Sequence, residues 1–151
     1  IRNQIKRGIK INKLIEIPIC YDEEFALDIK RLEEKTKLSF KEIQNEHLNT
    51  KFFVYMIGFI PGHPFMGDLD KKFETNRLET PRVKLPRGSV GIVEKFCNIY
   101  PFESPGGWNI VGKTPLQLFN INKKITSLLS PGDTVIFKSI TKKDLLSFKN
   151  E

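Results

Sequence analysis

The second half of this chain is cut into short pieces by three stretches rich in proline and glycine, residues 61–67, 81–88 and 101–107. Proline fixes φ and removes a backbone donor, and glycine opens the left-handed region. A long helix does not survive such punctuation. Between the stretches lie apolar, β-rich runs: Phe52-Phe53-Val54-Tyr55-Met56-Ile57-Gly58, then 89–93, 109–112 and 134–140. The last run follows Ser130-Pro131-Gly132-Asp133, a tight-turn sequence. Short strands joined by stiff loops predict a mainly β barrel or sandwich whose loops carry function.

The first half reads differently. Residues 1–16, with Ile5, Ile9 and Ile11, read as a linker or the remnant of a further domain, and 17–151 as the barrel domain. Residues 15–21 alternate and are β-branched, which predicts a strand, at an edge because Pro18 cannot donate to a ladder. Two short helices are expected next. Asp22 caps the first, with Phe25, Ile29 and Leu32 on one face, and Thr36-Lys37-Leu38 breaks it. Ser39 and Glu42 form the Ser-x-x-Glu pattern of a capping box, opening a second helix that ends near His47.

Composition narrows the classes. At 151 residues and 39% hydrophobic, with 12 Phe, the chain has material for one packed core. Its longest apolar stretch, 52–60, falls well short of the ~20 residues of a membrane helix, so no membrane span is expected. The net charge of +7 comes from scattered lysines, without the clustered basic face that nucleic acid requires. Cys20 and Cys97 are the two cysteines, too few for a disulfide framework. A reducing, cytoplasmic setting is the simpler expectation, and no signal-peptide pattern opens the sequence. Two histidines and two cysteines without paired spacing argue against a structural metal site.

The densest feature is Gly58-Phe59-Ile60-Pro61-Gly62-His63-Pro64-Phe65-Met66-Gly67. Pro61, Gly62 and Pro64 form a stiff scaffold around His63, which is either a site wall or an exposed residue on a structural turn. Ser104-Pro105-Gly106-Gly107-Trp108 holds consecutive glycines that suit an anion-binding nest, with Trp108 as a core anchor. Residues 107–114 match the Gly-x-x-x-x-Gly-Lys-Thr spacing, yet the segment after Trp108 reads as a strand and Pro115 blocks a helix, so this is no phosphate loop. Lys113 and Thr114 offer a cation and a hydroxyl. Arg82 and Arg87 flank a proline loop and can bind carboxylate or phosphate through the guanidinium fork. Cys97 reads as a small buried hydrophobe, and His47, beside Glu46 at a helix end, as a surface histidine.

Taken in order, these blocks resemble a known family. Pro18-Ile19-Cys20-Tyr21, the 58–67 segment, Pro81-Arg82, Gly88-Ser89-Val90-Gly91-Ile92, Ile99-Tyr100-Pro101, Ser104-Pro105-Gly106-Gly107-Trp108, Gly112-Lys113-Thr114-Pro115 and Leu129-Ser130-Pro131-Gly132-Asp133 are similar to the B subunit of prokaryotic 5-oxoprolinase. That family is also called allophanate hydrolase subunit 1 or KipI-type kinase inhibitors. The resemblance spans about residues 16–140. It implies a cyclophilin-like β-barrel that normally follows a small α/β domain. It implies partnership with the homologous C subunit and the separate A subunit in ATP-dependent opening of 5-oxoproline to glutamate, with ATP bound by the complex or by this chain. Some members instead inhibit a sensor histidine kinase, and related domains serve urea and allophanate metabolism as carboxyltransferase-type subunits. As a kinase-docking module, the barrel would use Phe65, Tyr100 and Phe102 as exposed aromatics.

For the enzyme, the resemblance points to one shared pocket. Lys113 and Arg82 would bind the anion, with Tyr100, Ser104, Gly106, Gly107 and Thr114 completing the substrate or phosphate site. His63 or His47 would transfer a proton or polarise a bond. Val93-Glu94-Lys95-Phe96-Cys97-Asn98 stands where the family usually carries Ala-Gly-x-Gln-Thr-Gly, so Phe96 replaces an amide and Asn98 a glycine. Lys113 replaces the usual arginine.

Overall fold

The computed structural model describes residues 11–150. Its strands are β1 (Leu14–Ile19), β2 (Phe52–Ile57), β3 (Pro64–Gly67), β4 (Arg82–Leu85), β5 (Ser89–Val93), β6 (Phe96–Ile99), β7 (Ser104–Gly106), β8 (Asn109–Lys113) and β9 (Thr134–Ser139). The helices are α1 (Ile29–Thr36), α2 (Phe40–Asn49) and α3 (Lys142–Ser147). Seven strands form one sheet in the order β1-β9-β2-β3-β6-β5-β8, and β4 and β7 make a separate two-stranded ribbon. Only the β1–β9 pairing is parallel among these strands.

The large sheet curls until its ends meet. Just past β1, the Cys20 N–H donates to the Lys113 carbonyl of β8 (2.9 Å), and the Lys113 N–H returns the bond to Cys20 (3.0 Å). Gly112 makes this approach feasible, because a Cβ there would lie 2.7 Å from the Cys20 oxygen. The result is the expected mainly β, barrel-like architecture. Within the expected linker, Leu14, Ile15 and Glu16 already belong to β1, while Ile5 and Ile9 lie outside the described residues.

Local signals explain most elements. The isoleucines of β1 bury Ile17 and Ile19, and the proline-bearing strand sits at the end of the strand order as expected. The Ser39–Glu42 capping box is formed: the Glu42 N–H donates to Ser39 Oγ and the Ser39 N–H to Glu42 Oε2. The first helix is shorter than expected. The Asp22 carbonyl accepts from Phe25 and Ala26 in a turn, and α1 begins only at Ile29, after Asp28. The three proline stretches are not plain loops either. They contain β3, β4 and β7, with Pro64 as the first residue of its strand, where a missing donor is tolerated. The strand β6 and the helix α3 add to the elements expected from the sequence.

Two apolar clusters result. The barrel interior holds Ile17, Ile19, Phe52, Val54, Met66, Ile99, Val135 and Phe137, with α1 and α2 residues Leu32 and Ile43 packed on it. A smaller cluster of Leu85, Val93, Tyr100, Trp108 and Ile110, with Phe65 and Phe96 at its margin, lies apart from it and contains residues of β4, β5 and β8. The candidate site is built on this second cluster. Among the described residues no helix is long and apolar enough to cross a membrane.

Candidate functional site

A cavity of about 260 Å³ opens beside the small cluster, walled by His63, Phe65, Tyr100, Gly106, Gly107 and Trp108, with Phe59, Arg77, Pro81 and Pro105 around it. The loop that delivers His63 is closed by its own backbone. The Gly58 N–H donates to the His63 carbonyl (3.0 Å) and the His63 N–H to Ile60 (3.2 Å). Gly62 has φ +76° and lies so close to Phe119 that a Cβ would come within 2.7 Å of it. Phe59 is also left-handed, at φ +74°, and its ring is 91% exposed. A non-glycine residue held there carries backbone strain, a feature that concentrates at functional sites.

His63 is 4% exposed, with its ring against Phe65 (centroids 4.8 Å) and Tyr100 (5.4 Å). The Asn98 amide Nδ2 donates to His63 Nε2 at 3.0 Å. Burial pulls the His63 pKa down to about 4, so the imidazole is neutral at ordinary pH. His63 Nδ1 and Asn98 Oδ1 are buried without a hydrogen-bond partner. Burial likewise pushes the Tyr100 phenol up, opposed by nearby donors and by Arg77 and Arg82. Tyr100 presses on Gly106, where any Cβ would collide with the phenol oxygen. The Arg77 guanidinium lies 5.9 Å from the Trp108 ring centroid. Chemically the cavity offers aromatic walls, a neutral imidazole, a phenol and one cation at its margin, a lining suited to a small partly polar ligand.

The expected pocket therefore divides. His63, Tyr100, Gly106 and Gly107 converge, on the scaffold of Pro61, Gly62 and Pro64. Ser104 stands at the start of β7, paired with Leu85 across the ribbon. Gly106 and Gly107 form no anion nest: Gly106 is in a strand, and the positive-φ glycines among the described residues are Gly62, Gly88 and Gly132. Lys113 and Thr114 line a different depression, together with Arg87 and residues of the α3 region. There Thr114 Oγ1 accepts from the Leu116 N–H. Arg82 is committed to Asp28, donating from Nη1 (2.8 Å) and Nη2 (2.7 Å) to its carboxylate. The 109–113 segment is a strand, as expected for a sequence that is not a phosphate loop.

His47 is neither a surface residue nor part of this cavity. It is 2% exposed inside the barrel, its Nδ1 2.6 Å from the Tyr21 hydroxyl and its Nε2 3.4 Å from Cys97 Sγ. Burial among Phe52 and Phe137 takes its pKa down to about 3, and the same burial raises the Cys97 thiol well above its usual value. Cys97 and Trp108 are buried, as expected. The expected docking aromatics do not form a surface: Tyr100 is buried and Phe65 half-buried, leaving Phe102 exposed.

Three polar residues escape the sequence reading. Asn98 figures there only as the replacement of a family glycine, Arg77 lies outside every motif, and Asp28 is hidden among helix acids. The one available signal is the departure of Asn98 from the family's glycine. Among the described residues no group of three or more His, Cys, Asp or Glu side chains is placed to hold a metal ion.

A nearly closed, mostly antiparallel barrel with a small aromatic cavity at a side ribbon defines a carboxyltransferase-like fold. The chain belongs to the family described as carboxyltransferase domain, subdomain C and D, whose model matches residues 2–129. It is 40% identical over 149 residues to the B subunit of 5-oxoprolinase from Bacillus subtilis, covering 98% of this chain and 62% of that protein. It is 42% identical over 123 residues to the 5-oxoprolinase B subunit of Haemophilus influenzae, covering 82% and 58%. The crystal structure of a conserved protein from Pyrococcus horikoshii superposes with a TM-score of 0.84 at 43% identity, over 88% of this chain and 62% of that one. The chain thus spans about three-fifths of the length of the curated relatives it matches.

Proposed function

We propose that this chain contributes one wall of the substrate site in a 5-oxoprolinase, acting as its B subunit beside the A and C subunits in ATP-dependent ring opening of 5-oxoproline to glutamate. The observation that carries this reading is the convergence of His63, Tyr100, Gly106 and Gly107 on one cavity in a chain 40–42% identical to proteins named as 5-oxoprolinase B subunits. 5-Oxoproline is a five-membered lactam with one carboxylate. Its ring suits the aromatic walls, its carbonyl the imidazole and phenol, and its carboxylate the Arg77 guanidinium.

Hydrolysis breaks the ring C–N bond and adds water across it. A neutral His63 and the Tyr100 hydroxyl would hold the lactam oxygen while charge builds on it. The test is reconstitution of this chain with the A and C subunits, ATP and 5-oxoproline, following glutamate release. Release that falls at least tenfold in His63→Ala, with the complex still assembled, supports the reading. An assembled complex that releases no glutamate with the unaltered chain overturns it.

A further inference from the structure

We propose that Asn98 is the positioning residue of this cavity, holding His63 as the Nδ1–H tautomer so that the wall presents a fixed donor to a carbonyl or carboxylate oxygen. The ligand half of this inference rests on reading the cavity as the substrate site. The tautomer half does not.

The argument begins with where Asn98 stands. It lies on β6, paired with Phe65 of β3 on one side and Gly91 of β5 on the other, and is fully buried. A residue between two paired strands has little freedom. Its Nδ2 is 3.0 Å from His63 Nε2, and an amide nitrogen donates but does not accept. Nε2 is therefore the bare, accepting nitrogen, and the proton of a neutral ring sits on Nδ1. The ring is packed against Phe65 and Tyr100, which opposes its turning over.

Asn98 Oδ1 faces Gly91, where a Cβ would come within 2.8 Å of it, so the glycine leaves the room the amide occupies. The His63 ring lines the cavity, and its Nδ1 atom is buried with no partner within the protein. An unpaired buried donor is costly, and a ligand oxygen would relieve that cost.

The chain has two histidines, so 15N–1H correlation spectra of the imidazoles are simple to assign with His63→Gln as reference. The expected spectrum shows His63 protonated at Nδ1 and bare at Nε2. A His63 protonated at Nε2 overturns the proposal, and this spectrum of the unaltered chain decides it even where a variant fails to fold. In Asn98→Asp the carboxylate accepts, and the proton is expected to move to Nε2; an unchanged pattern there also overturns it.

For the ligand half, 2-pyrrolidone is the probe and the pyrrolidinium ion its control. 2-Pyrrolidone is expected to shift the Nδ1–H resonance, the control to leave it still, and Asn98→Asp to weaken 2-pyrrolidone binding at least tenfold. No response to 2-pyrrolidone from a correctly protonated ring overturns the donor role toward ligand. Glutamate release by the reconstituted complex is read separately, so the enzymatic reading stands or falls on its own result.

Discussion

Arg82 and Asp28 meet through two hydrogen bonds, 2.8 and 2.7 Å, and the same carboxylate accepts the Ile110 N–H at 2.7 Å. Asp28 is buried and returns its own N–H to the Ile110 carbonyl. One residue therefore ties the start of α1 to β8 and to the ribbon strand β4, which also bears on the cavity through Gly106 of β7. Asp28→Ala leaves a buried amide and a partly buried guanidinium without their acceptor. A loss of about 2–4 kcal/mol is expected. Urea denaturation reads it as a lower midpoint at unchanged slope.

The two histidines set an acid limit. Burial holds His47 at a pKa of about 3 and His63 at about 4, against 6.5 for an exposed ring. Between those values the unfolded chain binds more protons than the folded one, so stability is full above about pH 6.5 and falls as pH drops. Each ring contributes a slope of up to ~1.4 kcal/mol per pH unit. Denaturation midpoints measured from pH 6.5 to 4.5 are expected to fall steeply. His47→Gln or His63→Gln is expected to remove roughly half of that slope.

Gly106 is small because Tyr100 occupies its side-chain space. Gly106→Ala displaces the phenol and is expected to cost about 1–3 kcal/mol. Tyr100→Ala opens that space, so the double variant is expected to lose less than the sum of the two single losses. A thermodynamic cycle by chemical denaturation measures the difference. Strict additivity would mean that the two residues do not press on each other.

The division of the cations has a direct readout. Arg77 borders the His63 cavity, whereas Lys113 lies in the other depression. Arg77→Ala is expected to weaken 5-oxoproline binding roughly five- to tenfold, as fits one exposed charge-assisted contact. Lys113→Ala is expected to leave it unchanged. Titration calorimetry distinguishes the two.

What is legible in the sequence follows the range of the interaction that decides it. The Ser39–Glu42 box is set within one helical turn, and it forms as its spacing predicts. The β-branched runs of β1, β5 and β9 declare themselves through their own periodicity. The site depends on register. Whether Arg77 or Arg82 reaches the cavity turns on Asp28, which is 54 positions from Arg82 along the chain. Lys113 looks equivalent to His63 because both follow glycine-bearing motifs, yet the barrel's closure sends them to separate depressions. His47 carries the polarity of a surface residue, and only the packing of α2 against β9 takes it inside. Asn98 shows as a departure from a family pattern, but its partner across the sheet is not visible in the chain order.

The meeting of Cys20 and Lys113 has a last consequence. The β1–β9 side of the first strand is held over six paired positions, while its other side is fastened by two main-chain bonds. Thermal fluctuation can part such a seam without disturbing the rest of the wall. In deuterated water the Cys20 and Lys113 amides are expected to exchange well before those of Ile17 and Phe137, marking the line along which this cylinder first unrolls.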